Sequence, residues 1–174
     1  MNTELKAPRR LNHIAYPTWN SVETYHFYTE IVRCEFVGAV HGDRVPSTGA
    51  ETPYLHTFFA LDSGECIAFF EVEGLERPES EEIPHWIKHL AVSVPTMDEL
   101  EEWRRHLKEH GVEVTDVVDH DGIWESIYFD DPNGVRLEIT CQLRELDEHD
   151  REEGLEWLRR YGLRDGAEPG EQDQ

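Results

Sequence analysis

The order of apolar and polar positions repeats once along the chain. Residues 12–18 and 88–96 have similar strand-like sequences, and each leads into a polar capping residue with a glutamate three positions later, which is typical of a helix start. In the second copy, Leu100, Trp103 and Leu107 recur at the spacing of one helix face. Both copies therefore predict a strand, a helix and three further strands, which makes two βαβββ modules.

Turns and shifts in composition divide the chain further. Extended segments flank an Asp-Ser-Gly turn in the first copy and an Asp-Pro-Asn-Gly turn in the second. We predict a single domain over residues 1–174, with modules at 10–74 and 86–141 and a linker rich in Glu and Pro at 75–85. Residues 142–174 are an acidic tail, and its apolar residues predict a helical extension that packs on the body or on a second subunit.

The charge balance narrows the choice of partners. Lys and Arg number 16 against 38 Asp and Glu, which gives a net charge of −22 at pH 7. Such a surface repels phosphate backbones and anionic lipids, so we expect neither nucleic acid nor membrane surfaces as partners. Cations and neutral small molecules stay as candidate partners. The cysteines are odd in number and widely spaced, and the chain opens with no apolar leader, so we expect a reduced, cytoplasmic protein.

Residues that bind metals recur at matching positions of the two copies. His13 and His89 lie early in the first strand of each copy, and Glu71 and Glu138 lie near the end of the last strand, where each interrupts an apolar run. A half-buried carboxylate is unfavourable unless it is paired or bound to a metal. Two imidazoles with one or two carboxylates suit Fe(II), Mn(II), Ni(II) or Zn(II). The alternative is that the histidines are hydrogen-bonded in the core and the glutamates form ion pairs.

Across residues 10–141 the chain resembles the vicinal oxygen chelate superfamily, which includes glyoxalases, epimerases, bleomycin and fosfomycin resistance proteins and extradiol dioxygenases. The resemblance implies an α+β fold in which two βαβββ modules form an incomplete mixed β-barrel around a metal. It also implies metal ligands at His13, His89 and Glu138, with Glu71 as a fourth ligand in glyoxalase-like members. Members of the superfamily are often dimers, so we expect a homodimer.

A narrower resemblance lies near the end of the second copy. His120, Tyr128 and the Asp-Pro-Asn-Gly turn precede Glu138 at intervals similar to the signature of type I extradiol ring-cleaving dioxygenases. The Leu-His-Thr segment around His56 is similar to the strand that carries the acid/base histidine of that family. The resemblance implies Fe(II), O2 and a small catecholic aromatic substrate, with His56 moving protons and His120 and Tyr128 orienting the substrate. Each of these three residue types is also common in half-buried strands without a catalytic role.

Two other functions stay open at this point. A glyoxalase- or epimerase-like lyase or isomerase would use Ni(II), Co(II) or Zn(II) with Glu71 as a fourth ligand, which leaves fewer coordination positions for O2. A drug-sequestering resistance protein, similar to the bleomycin-binding members, would bind its ligand without turnover. The motifs favour the dioxygenase over both alternatives.

Overall fold

A computed structural model describes residues 5–80 and 83–164 of the chain. The parts of the predicted domain and tail at residues 1–4, 81–82 and 165–174 lie outside the described residues. The first half forms β1 (His13–Pro17), α1 (Ser21–His26), a π-helical turn (Phe27–Ile31), β2 (Glu35–Gly42), β3 (Tyr54–Ala60) and β4 (Cys66–Val72). The second half forms β5 (His89–Val94), α2 (Met97–Glu109), β6 (Val118–His120), β7 (Trp124–Asp130), β8 (Arg136–Gln142) and the tail helix α3 (Glu148–Arg164).

The two halves of the chain form two four-stranded sheets with the same topology. The first sheet has the strand order β1-β4-β3-β2 and the second the order β5-β8-β7-β6. In each sheet the opening strand is parallel to its neighbour, and the other pairs are antiparallel. The equal order confirms the prediction of two βαβββ modules. The sheets share no strand pairing among the described residues, so they do not close into a barrel.

The helices start where the sequence pattern predicts. The side chain of Asn20 accepts hydrogen bonds from the backbone N–H groups of Val22 and Glu23, each at 3.1 Å. The hydroxyl of Thr96 accepts one from the backbone N–H of Glu99 at 3.2 Å. Each bond satisfies a donor that has no partner within the first helical turn, so these polar residues set the first residue of α1 and of α2.

One hydrophobic core joins the two modules. Phe59 and Phe69 of the first sheet and Ile127 and Leu137 of the second are almost inaccessible, and they belong to one cluster with Leu107 of α2. Phe27 and Tyr28 of the π-helical turn belong to the same cluster, so this turn and α2 lie between the two sheets. Since side chains alternate between the faces of a strand, the residues on the other faces of both sheets point away from this shared core.

The Asp-Pro-Asn-Gly turn between β7 and β8 holds the modules together. Asp131 is only 5% exposed, and its carboxylate accepts hydrogen bonds from the backbone N–H groups of Asn133 and Val135. It also accepts one from the hydroxyl of Tyr28 in the first module at 3.2 Å. The side-chain amide of Asn133 donates to Thr24, at 3.0 Å, in the same module. The sequence predicts only a turn here, whereas the structure shows a joint between the halves.

The helical extension predicted for the tail is present as α3. It begins after Asp147, whose side chain accepts from the backbone N–H groups of His149 and Asp150 at 2.8 and 3.1 Å. Trp157 and Leu158 are 47% and 70% exposed, so the body does not cover the apolar side of the helix. Its packing on a second subunit stays a prediction. None of the described helices combines the length and the apolar content that crossing a bilayer requires.

Candidate metal centre

The register of the second sheet brings His89 and Glu138 together. β5 is parallel to β8 with Ala91 beside Glu138, so His89, two residues before Ala91, lies on the same face as the carboxylate. His89 Nε2 lies 3.0 Å from Glu138 Oε2, and Glu138 is only 3% exposed. Two of the three predicted metal ligands are therefore in contact.

The contact between these two side chains suits a shared metal ion. His89 Nδ1 lies 3.2 Å from the carbonyl of Trp86, which can only accept a hydrogen bond. When Nδ1 carries the proton of the ring, Nε2 presents a lone pair to an oxygen of Glu138, and a metal ion bound by both atoms makes this contact favourable. Two metal bonds of about 2.1 Å at a right angle place their donor atoms about 3.0 Å apart, so the pair fits a metal ion.

The other oxygen of Glu138 is held by a serine. Ser126 Oγ donates to Glu138 Oε1 at 2.5 Å and lies 2.9 Å from Thr140 Oγ1. A neutral hydroxyl fixes the direction of the carboxylate without removing its charge. This arrangement is typical of the groups that orient metal ligands.

Tyr128 and His120 lie beside the same pair. Tyr128 is opposite Glu138 in the pairing of β7 with β8, and its hydroxyl lies 2.9 Å from His120 Nε2. Burial, and then the negative charge of Glu138, raises the pKa of Tyr128, so the phenol stays protonated at neutral pH and can donate a hydrogen bond. The second sheet thus carries four of the predicted site residues on one face.

His13 and His56 share the equivalent face of the first sheet. Their ring centres are 5.9 Å apart, and the His56 ring stacks on Phe70 at 3.6 Å. His56 Nδ1 donates to the carbonyl of Phe69 at 3.0 Å, and His13 Nδ1 donates to Asn12 Oδ1 at 2.7 Å. In the neutral form of each ring, Nε2 therefore keeps its lone pair. Burial lowers the pKa of His56, which keeps this ring neutral at pH 7.

The chain does not bring all the predicted ligands to one place. Among the residues at 5–80 and 83–164, no three His, Cys, Asp or Glu side chains are arranged to hold a metal ion. His13 and His56 lie on one sheet, and His89 and Glu138 lie on the other. Because both of these faces point away from the shared core, a single chain keeps the two sets apart.

Glu71 lies on the opposite face of the first sheet from His13. The residue of β4 beside His13 is five positions before Glu71, and this odd offset turns the Glu71 side chain toward the helices. There its Oε2 accepts a hydrogen bond from the backbone N–H of Ser21 at 2.6 Å, at the start of α1. The residue of β4 that corresponds in register to Glu138 is Ala68. The two glutamates are therefore not equivalent, and Glu71 is not brought to the other predicted ligands.

Ser126 and Arg136 are site residues that the sequence reasoning missed. Neither side chain is a common metal ligand or acid/base group, so their residue types did not indicate a site. Their positions did indicate one, since Ser126 lies two residues before Tyr128 and Arg136 two residues before Glu138. Residues two apart in a strand share a face. The guanidinium carbon of Arg136 lies 4.6 Å from the centre of the Tyr128 ring.

Known proteins share this fold and part of the sequence. The family described as Glyoxalase/Bleomycin resistance protein/Dioxygenase superfamily matches residues 10–139. The metallothiol transferase FosB of Staphylococcus epidermidis is 30% identical over 137 residues, which cover 74% of this chain and 79% of that protein.

Two solved structures show the same fold at lower identity. The glyoxylase/bleomycin resistance protein/dioxygenase domain from Frankia sp. EAN1pec has a TM-score of 0.63 and 19% identity, and the match covers 78% of this chain and 99% of that one. The fosfomycin resistance protein FosX from Listeria monocytogenes has a TM-score of 0.54 and 21% identity, and the match covers 83% of this chain and 99% of that one. FosX has also been solved in complex with Mn(II) and a sulfate ion.

Proposed function

The chain belongs to the Glyoxalase/Bleomycin resistance protein/Dioxygenase superfamily, and we propose that it is a metal-dependent enzyme of the transferase or lyase type within it. Its substrate is a small molecule that binds the metal through oxygen atoms. The observation that carries the proposal is the 3.0 Å contact of His89 Nε2 with the buried Glu138 Oε2, which brings two atoms of metal-binding type to the spacing at which they can share one ion. The 30% identity to a metallothiol transferase supports transfer chemistry over ring cleavage.

The third ligand in this proposal is His13 of a second copy of the chain. The face that carries His13 and the face that carries His89 and Glu138 both point away from the core, so one copy cannot join them. In a twofold dimer, the first sheet of each copy covers the second sheet of the other, and two equal sites form. The homodimer thus supplies the missing histidine.

Two imidazoles and a carboxylate fit Mn(II), Fe(II), Co(II), Ni(II) or Zn(II), and the Mn(II) complex of FosX supports such a site. A bound ion of this kind supplies Lewis-acid polarisation of the substrate oxygens. His56, a neighbour of His13, enters the site from the second copy and accepts a proton from the substrate at Nε2. The hydroxyl of Tyr128 donates a hydrogen bond to a substrate oxygen that gains charge, and His120 orients the phenol.

Extradiol dioxygenase is the second candidate function. The observation that favours it is the 2.9 Å contact between Tyr128 and His120, beside Glu138, because the resemblance to extradiol enzymes assigns both residues to the substrate. With Glu71 turned toward α1, three protein ligands leave coordination positions for a substrate and O2. Fe(II) and a catecholic substrate belong to this candidate.

Subunit complementation tests the shared site. We expect the wild type to bind one Mn(II) per chain, and we expect the variants His13→Ala and Glu138→Gln each to bind it far more weakly. When the two variants are unfolded together and refolded as a 1:1 mixture, random pairing restores about a quarter of the wild-type sites, because half of the dimers are hybrids with one intact site each. No recovery in the mixture, or wild-type affinity in His13→Ala, would overturn the shared site. Glu71→Gln is the matched control and keeps full Mn(II) binding.

A substrate panel separates the two reactions. Metal-loaded protein is given a thiol with an epoxide or an α-ketoaldehyde in the absence of O2, and separately a set of catechols in air. We expect thiol-dependent product without O2. Oxygen uptake with a coloured ring-opened product from a catechol, together with no thiol-dependent product, would replace the proposal by the dioxygenase.

A further inference from the structure

A cavity of about 1100 Å3 opens beside His89, between the end of β1, the linker and the start of β8. Its described lining includes three permanent cations, Arg77, Lys88 and Arg136, and one carboxylate, Glu79. The whole chain has only 16 Lys and Arg against 38 Asp and Glu. Among the described residues, the charge balance of the lining is therefore opposite to that of the molecule.

Neither guanidinium of the cavity is paired with a described carboxylate. Arg77 donates to the carbonyls of Pro132 and Asn133, at 3.2 and 3.0 Å, and these bonds fix it against the turn. Arg136 Nε and the indole Nε1 of Trp19 are buried and have no hydrogen-bond partner among the described residues. Buried donors without a partner are unfavourable, so these lining atoms favour a ligand that accepts hydrogen bonds.

The cavity is continuous with the candidate metal centre. His89 lines it, and Arg136 is the residue paired with His89 between β5 and β8. The two lining imidazoles are already occupied, since His85 lies 2.7 Å from Asp130 and His89 lies 3.0 Å from Glu138. The arginines, rather than the histidines, therefore provide the positive charge that can receive an anion.

We propose that this cavity is a carboxylate-binding subsite, which holds the anionic end of the substrate or co-substrate of the proposed enzyme. A guanidinium binds a carboxylate through two parallel charge-assisted hydrogen bonds, and an indole N–H adds a further donor. The negative surface elsewhere repels anions, so such a ligand is held only where arginines gather. The net charge alone predicts cations and neutral molecules, and the cavity reverses that expectation. This proposal rests on the proposed function in one respect: that function makes the neighbouring pair of His89 and Glu138 a metal centre and so makes the anion a substrate or co-substrate.

Calorimetric titration with malonate tests the subsite. We expect the wild type to bind malonate, Arg136→Gln to bind it about tenfold more weakly or worse, and Arg136→Lys to keep part of the affinity. Arg105→Gln is the matched control and is expected to keep wild-type affinity. Arg105 is an exposed arginine of α2 that lies 4.0 Å from Glu102 and does not line this cavity. Malonamide, which has the same shape without the charge, does not bind.

Metal titrations of the same proteins separate this proposal from the proposed function. Glu138→Gln loses Mn(II) binding and keeps malonate binding, because Glu138 does not line the cavity. The far-ultraviolet circular dichroism spectrum of Arg136→Gln matches that of the wild type, which shows that this variant is folded. Equal malonate affinity in the wild type and Arg136→Gln overturns the subsite, as does a wild type that binds inorganic phosphate but not malonate. Failure of Mn(II) binding alone overturns the metal centre and leaves the subsite standing.

Discussion

The substitution Asp131→Ala tests the joint between the modules. The carboxylate accepts four hydrogen bonds, from the backbone of Asn133 and Val135, the side-chain amide of Asn133 and the hydroxyl of Tyr28. Tyr28 is fully buried, so its hydroxyl cannot turn to water when the carboxylate is removed, and a buried unpaired donor costs about 1–3 kcal/mol. The half-buried donors lose about 0.5–1 kcal/mol each. Removing a buried charge offsets part of this, so we expect a loss of about 2–4 kcal/mol in the free energy of unfolding.

Urea denaturation followed by circular dichroism measures this loss. Asp130→Ala is the matched control, since Asp130 is the neighbouring residue and is half exposed in its pair with His85; we expect a change of less than about 1 kcal/mol. Tyr28→Phe removes one of the four bonds and keeps the ring, so it is expected to lose about 0.5–1.5 kcal/mol. If Asp131→Ala is no less stable than Asp130→Ala, the carboxylate does not hold the modules together and the reasoning fails.

Three further predictions follow from single contacts. Glu71→Gln is expected to lower the free energy of unfolding by about 0.5–1 kcal/mol, because the negative charge at the start of α1 is lost. The metal content of this variant, measured by mass spectrometry, is expected to equal that of the wild type. A loss of metal would show that Glu71 is a ligand. Ser126→Ala is expected to weaken Mn(II) binding about 10- to 100-fold, because the hydroxyl orients Glu138; an unchanged affinity in a Mn(II) titration would contradict this. Burial, and then the nearby Cys66, raises the pKa of the Cys34 thiol to about 11, so at pH 8 Ellman's reagent should label Cys34 about 100-fold more slowly in the folded protein than in the protein unfolded in urea; equal rates in the two states would count against this burial.

The sequence pattern was sufficient for the modules because their signals are local. The capping residues at Asn20 and Thr96 act within four residues, and alternation along a strand acts within two. The same local rules placed His89, Glu138, Tyr128 and His120 on one sheet, where the structure joins them. Capping and strand alternation therefore do not depend on how the two sheets pack.

The matched glutamates show where local rules fail. Glu71 and Glu138 look equivalent because each interrupts an apolar run, but the register of the parallel pair decides which face each one takes. A shift of one residue turns a side chain to the other face. Register depends on pairing between segments distant in sequence, so apolar runs alone could not show that Glu71 binds the start of α1 whereas Glu138 contacts His89.

The sequence by itself determined the duplicated βαβββ order, the helix starts and the residue types of the candidate metal site, because periodicity and capping are properties of short segments. Only the tertiary structure decided that the π-helical turn and α2 lie between the two sheets, that Asp131 joins the modules and that His13 is kept away from His89 within one chain. It also decided that arginines gather in a cavity of an acidic protein. Each of these depends on which faces pack together, and that choice is made by long-range contacts across the whole core.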